Sequence, residues 1–227
     1  MPECRRCGQC CRLGGPTLMR GDADRLLDGT LPLSGLVCLR RGEWARHDGS
    51  RGTTALAAPG PDSLAPLASE MLKLAGTGGG PHPWQCPHLQ EAGGQAACAI
   101  HDRRPLQCRT LFCQAPQAVE DLLATGDFLS RAELFARLAP VEPRASLWQE
   151  LAEAHEQTCS AGVYLRLCQE LATTPEVLAV RRELAEKERY DEAFRQLCVE
   201  RGALEPELLP LVLGRPLRDL PRPGPER

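Results

Sequence analysis

The chain has 227 residues, twelve of them cysteine; it is 42% hydrophobic but only 4% aromatic, and its formal net charge is -3. Leu and Ala must therefore fill most of the interior, and there is no basic stripe with interleaved aromatics of the kind that tracks a phosphate backbone. No stretch approaches the roughly 18 apolar residues of a membrane-spanning helix, so nucleic acid and membrane are both excluded as expected partners.

The chain opens MPECRRCGQCC, with no apolar stretch ahead of the first cysteine. A cytoplasmic location is the expectation, and in a reducing compartment clustered cysteines mean metal or redox chemistry more often than disulfides. Nine of the twelve cysteines precede residue 115, after which Leu, Ala, Glu and Arg dominate. This shift predicts a cysteine-cluster domain over 1–115 and a helical extension over 116–213. A tail over 214–227, with four prolines and four arginines, lacks the apolar content to fold and is predicted disordered.

In chain order, the first predicted helix runs from Asp22 to Asp28 and is stopped by Gly29, which suits a left-handed C-terminal cap. Val37 to Leu39 and Glu43 to Arg46, joined by Arg41-Gly42, read as a short hairpin. Loops at 49–61 and 76–83 flank a predicted helix from Ser63 to Leu74. In the second half, Val119, Leu122, Leu123, Leu134, Phe135 and Leu138 mark one or two helices broken near Gly126. Trp148, Leu151, His155, Cys159, Val163 and Leu167 recur at three- and four-residue steps along the next. Thr174-Pro175-Glu176 starts another, with Val177, Val180, Leu184, Phe194, Leu197 and Cys198 as its apolar positions. The expected fold is mainly α: an irregular, metal-stapled cysteine-rich half packed with three or four C-terminal helices, with at most a short hairpin.

The cysteines fall into two blocks. The first is Cys4-x2-Cys7-x2-Cys10-Cys11; a two-residue spacer lets both sulfurs face one ion while backbone N–H groups point at the thiolates. The second is Cys86-Pro87-His88, Cys98-Ala99-Ile100-His101 and Arg104-Pro105-Leu106-Gln107-Cys108-Arg109, closed by Cys113. Eight thiols in two groups of four complete two tetrahedral sites, or one cubane cluster with thiols left over. Zinc and iron both suit them. Arg109, between Cys108 and Cys113, is placed to offset thiolate charge beside the cofactor; Arg103 is equally a solvated basic turn. His88 and His101 lie inside the ligand blocks, as metal ligands or as hydrogen-bond partners of thiolates.

These residues are what carries a resemblance. CRRCGQCC followed by CPHL, CAIHDRRPLQCR and Cys113 resembles the YkgJ-type cysteine-cluster family, a zinc- or iron-chelating domain with a CxxCxxCC signature, over about residues 4–115. The resemblance implies Cys4, Cys7, Cys10, Cys11, Cys86, Cys98, Cys108 and Cys113 as metal ligands. It extends to the spacer around Arg40-Arg41-Gly42-Glu43 and Glu70-Met71-Leu72-Lys73. Relatives often carry Tyr where this chain has His101, which leaves an extra nitrogen ligand open. A related branch resembles flagellin lysine methylase, which joins the signature to an iron–sulfur centre and S-adenosylmethionine chemistry; no independent S-adenosylmethionine signature is present here.

Elsewhere the bland reading wins. His155 and Cys159 share a helix face at i, i+4, but they sit on the apolar stripe and read as core, as do Cys168 and Cys198. Cys38 reads as a strand or core residue. There is no nucleophile arrangement, no HExxH and no phosphate-cradling loop, since GTGGG at 76–80 lacks the strand-then-helix context. The Glu and Asp residues of the C-terminal helices read as a solvated face. The functional expectation is a metal-binding protein; the alternatives are an iron–sulfur enzyme, and a scaffold with structural zinc whose C-terminal helices bind a protein partner.

Overall fold

A computed structural model describes residues 7–46, 64–79, 82–93, 95–112, 114–174 and 177–222. The fold is mainly α, as expected, with short antiparallel strand pairs confined to the first half. Among the described residues no helix is long and apolar enough to cross a membrane.

The chain enters through α1 (Gln9–Leu13) and a 3-10 turn, Arg20–Asp22, that leads into α2 (Asp24–Leu27), ended by Gly29 at φ 75°. Four strands follow: β1 (Leu36–Leu39), β2 (Trp44–Arg46), β3 (Leu64–Pro66) and β4 (Met71–Leu74). Two expectations are corrected here. The helix expected over 63–74 is two strands where it is described, because Met71 to Leu74 alternate half-buried and buried, the period of a strand. Nor do the two stretches flanking Arg41-Gly42 pair with each other. β1 pairs with β4, Leu36 opposite Leu74, and β2 pairs with β3, Trp44 opposite Pro66. Gly42 N–H donates to Leu67 O (2.9 Å) and Leu67 N–H to Glu43 O (2.9 Å), so residues 40–43 are a bend inside one long two-stranded arm. The side chains of Arg40 and Glu43 are fully buried there, which a solvent-facing hairpin turn would not permit. The loop expected at 49–61 lies outside the described residues.

A second strand pair was not expected at all: β5 (Leu89–Ala92) and β6 (Gln95–Cys98), antiparallel, with Gly93 at φ 59°. Its signal in the sequence is Gly93-Gly94 at the spacing of a two-residue turn. Then come α3 (Leu106–Thr110), α4 (Gln117–Ala124) and α5 (Arg131–Leu138), with the expected break around Gly126. Ser130 caps α5 by accepting from Glu133 N–H while the Glu133 carboxylate accepts from Ser130 N–H, a capping box.

The stripe from Trp148 to Leu167 is two helices, α6 (Ala145–Cys159) and α7 (Ala161–Thr173), not one. Ser160 between them is extended, with ψ 122°. The carbonyl of Cys159, which a continuous helix would bond to residue 163, instead accepts Arg40 Nη1 at 2.9 Å. The Arg41-Gly42 bend also presses on the start of α7: a Cβ built on Gly42 would stand 2.5 Å from Gly162 Cα. α8 (Leu178–Glu200) and α9 (Leu209–Val212) complete the helices.

One apolar cluster takes Leu18, Leu36, Leu72 and Cys86 from the first half and Leu134, Phe135, Trp148 and Leu211 from the second. Phe135 and Trp148 meet edge to face, ring centroids 5.9 Å apart. Cys38 is buried in β1, and Cys198 in the core, as expected. The segment after Gly214, expected to be disordered, is packed as far as it is described: Leu217 is 0% and Leu220 3% exposed. A composition argument sees only two leucines there; the fold supplies each with a cavity and the backbone with charged partners.

Candidate metal centre

Four separate elements bring the cysteines of the two blocks to one place. Cys10 and Cys11 lie on α1, Cys86 in the loop before β5, Cys98 at the end of β6 and Cys108 on α3. Backbone bonds fix these elements to one another: Cys86 N–H donates to Cys11 O (2.8 Å), and Ala99 N–H, just after β6, to His88 O (2.9 Å). On the other side Asp22, fully buried, accepts Leu106 N–H at 2.9 Å and so holds the start of α3.

The sulfurs of Cys10 and Cys11 are 3.9 Å apart. Their hydrogen bond holds the Cys10 thiol down to about 6 and pushes that of Cys11 up, so the pair keeps one proton between them. Charge on Cys86 and Cys108 pushes Cys11 up further. Cys108 is raised to about 12, first by burial and then by Cys86, Cys98 and Cys10. Cys86 is raised by burial, with Cys98 and Cys10 adding to it. Charge on Cys10, Cys86, Cys98 and Cys108 thus acts on neighbouring thiols of the group. Such a group cannot ionise together unless a cation joins it.

Of the other expected ligands, Cys7 is exposed just ahead of α1, and Cys4 and Cys113 lie outside the described residues. His88 is half-buried, its Nε2 has no hydrogen-bond partner, and burial lowers its pKa, so it presents a neutral ring with an unclaimed nitrogen beside the Cys86 loop. His101 is exposed and bonded to Asp102 at 3.1 Å. Arg109, the cation expected to balance the thiolates, is exposed on α3. The charges that act on the thiols belong to Arg104, on Cys10 and Cys108, and to Lys73, on Cys86. Arg104 is held in place by donating to His101 O at 2.7 Å. Arg103 pairs with Asp28 at the surface, the solvated alternative.

A second group comes from residues read as core. Among the described residues, the one set of three ligand-type side chains with all ligand atoms within 4.8 Å of one another is His155, Cys159 and Asp191. The thiol group is looser than that, and its sulfurs must draw in to share an ion. The tighter set is compatible with a metal by residue type; its carboxylate is fully engaged, while His155 Nδ1 has no hydrogen-bond partner. Asp191 accepts from His155 Nε2 (2.7 Å), Arg195 Nε (2.7 Å) and Leu217 N–H (2.8 Å). Burial alone would raise its carboxyl, and these three donors outweigh it and hold it at about 2. His155 is driven the other way, kept neutral first by burial and then by Arg40 and Arg195. Two guanidiniums around the set oppose a further cation.

The solvated face expected for the Glu and Asp residues of these helices is corrected at Asp191, which is buried together with Arg195. Their positions continue the stripe of Leu184 and Cys198 at helical spacing, which is the signal that marks them: charge in register with the core. No family model, no curated protein and no solved structure matches the chain.

Proposed function

We propose that this chain is a metal-binding cysteine-cluster protein, holding zinc or an iron–sulfur centre through the thiolates of its two cysteine blocks. The observation that carries the reading is the convergence of Cys10, Cys11, Cys86, Cys98 and Cys108 from four elements, each thiol raising or being raised by its neighbours.

Cys4, Cys7 and Cys113 belong to the same ligand set by spacing, and His88 Nε2 is a further donor of the right kind. Bound metal supplies the positive charge that lets several thiolates coexist, and for zinc the chemistry ends there, at a stable closed site. Arg104 and Lys73 stabilise the thiolates as the site forms. A reducing compartment, the cytoplasm, keeps such thiols available. The ligands come from both ends of the first half, so binding contributes folding free energy to it.

The test is the metal and acid-labile sulfide content of untagged protein purified under argon, with its visible spectrum. Zinc without sulfide is the expected result. Iron and sulfide in matching amounts, with absorbance near 400 nm, would make the centre an iron–sulfur cluster and bring the enzyme reading forward. Folded protein that holds neither and takes up neither overturns the proposal.

A further inference from the structure

Residues 213–222 leave α9 and run back over the first half, and buried charges hold their backbone. Arg195 donates to the carbonyls of Leu213 (3.1 Å), Gly214 (3.0 Å) and Arg215 (3.1 Å). Arg40 donates to Arg215 O at 3.1 Å, and Asp191 accepts Leu217 N–H at 2.8 Å. Leu217 and Leu220 sink into a small core with Tyr164 and Leu165, and Arg222 donates to the Tyr164 hydroxyl at 3.0 Å.

From this segment a single side chain reaches toward the thiols. Arg215 donates through Nη2 to the buried Glu43 carboxylate (2.7 Å), and its guanidinium lies over the Trp84 ring, 6.0 Å from the centroid. Trp84 is two residues before Cys86, and its indole is 49% exposed. The backbone at Trp84 is packed against Gly76, where a Cβ would stand 2.2 Å from Pro83 O and 2.5 Å from Trp84 Cα. Thr77 N–H donates to Gln85 O (3.1 Å) and Gly78 N–H to Pro83 O (2.9 Å). The stretch leading to Cys86 is therefore tied to residues 76–78 through its backbone and touched by Arg215 through the Trp84 ring.

We propose that residues 213–222 form a strap that regulates the metal site: seating of Arg215 on Trp84 and closure of the thiols around a soft divalent cation favour each other. The inference rests on the metal-binding reading of the cysteines. The sulfurs must draw together to share an ion, and a Cys86 loop already held in place gives up less freedom when they do. Linkage then makes the effect reciprocal: if the strap tightens metal binding by some factor, metal tightens the strap by the same factor.

The experiment uses the full chain, stripped of metal under argon, with zinc as the probe. Zinc affinity is read by competition with a chromophoric chelator, and amide hydrogen exchange is followed in the peptide spanning 213–222. Zinc is expected to slow that exchange at least about fivefold. Trp84→Leu, at a half-exposed position where folding is not at stake, is expected to weaken zinc by a similar factor and to abolish the slowing. Zinc that binds without changing exchange overturns the strap and leaves the metal reading standing, as does a Trp84→Leu variant with unaltered affinity and slowing. Failure of zinc to bind overturns the strap as proposed, and overturns the metal reading as well where the protein takes up no iron–sulfur centre either.

Discussion

Two polar clusters lie in the same molecule and are built in opposite ways. Around Asp191, every strong charge has its partner: a carboxylate accepts three donors, and the guanidiniums of Arg40 and Arg195 spend theirs on carbonyls of the strap and on acidic side chains. Around Cys86 and Cys108, acidic groups face acidic groups, so that the charge of one opposes the charge of the next. A network of paired charges serves as a lock. A group of like acids is completed by a cation from outside, and that is where a ligand belongs.

The difference is broken most severely at Asp191. Asp191→Ala leaves the buried Arg195 without its carboxylate and His155 Nε2 without its acceptor, and is expected to cost about 3–5 kcal/mol in urea unfolding, with or without zinc. Cys86→Ser combined with Cys108→Ser is expected to behave otherwise. It should abolish metal uptake, and with it the stabilisation of about 2.7 kcal/mol that free zinc at a hundred times its dissociation constant gives the wild-type chain. An effect of the double variant on the metal-free protein as large as that of Asp191→Ala would show the thiols to be core rather than ligands.

Acid sharpens the comparison. His155 is held neutral in the fold, with its pKa below the ordinary value, so below about pH 6.5 the unfolded chain takes up a proton that the folded chain refuses. Stability of the metal-free protein is therefore expected to fall as pH drops below that value, by up to about 1.4 kcal/mol per unit. His155→Gln should flatten the slope. The carboxyl of Asp191 acts in the same direction but lower on the scale, its stabilisation being present above pH 3.8 and lost only as pH falls toward 2. Cys10 and His88 also titrate away from their ordinary values, so the difference between wild type and His155→Gln from pH 5 to 7 is what reports the histidine. The smallest expected effect separates two arginines. Arg104→Gln should weaken zinc about tenfold, the cost of losing a supporting group beside ligands. Arg109→Gln should leave the affinity within about twofold, its side chain being exposed.

Much of this is legible in the residues themselves. The cysteine spacing singles out thiols that the fold does assemble, because a ligand run must carry its chemistry in its own local geometry. The helices after Gln117 are legible from their 3.6-residue period, and their ends from Gly126 and the Ser130 capping box. Segment 64–74 is not, because Leu64, Leu67, Met71 and Leu74 recur at helical steps while each also lies in or beside a strand. The break at Ser160 is not legible either. It depends on Arg40, 119 positions away along the chain, taking a carbonyl that helix formation would otherwise use.

Sequence by itself determined the helical character of the second half and the core placement of Cys38 and Cys198. Both follow from local period and spacing, which act over a few residues. Tertiary structure alone decided that the charges of Arg104 and Lys73 act on the thiols, that Asp191 and Arg195 are buried, and that residues 213–222 are packed. Those outcomes turn on where a charge finds its partner once distant segments are packed, and a charged side chain is soluble or buried according to that partner and not according to its neighbours in the chain.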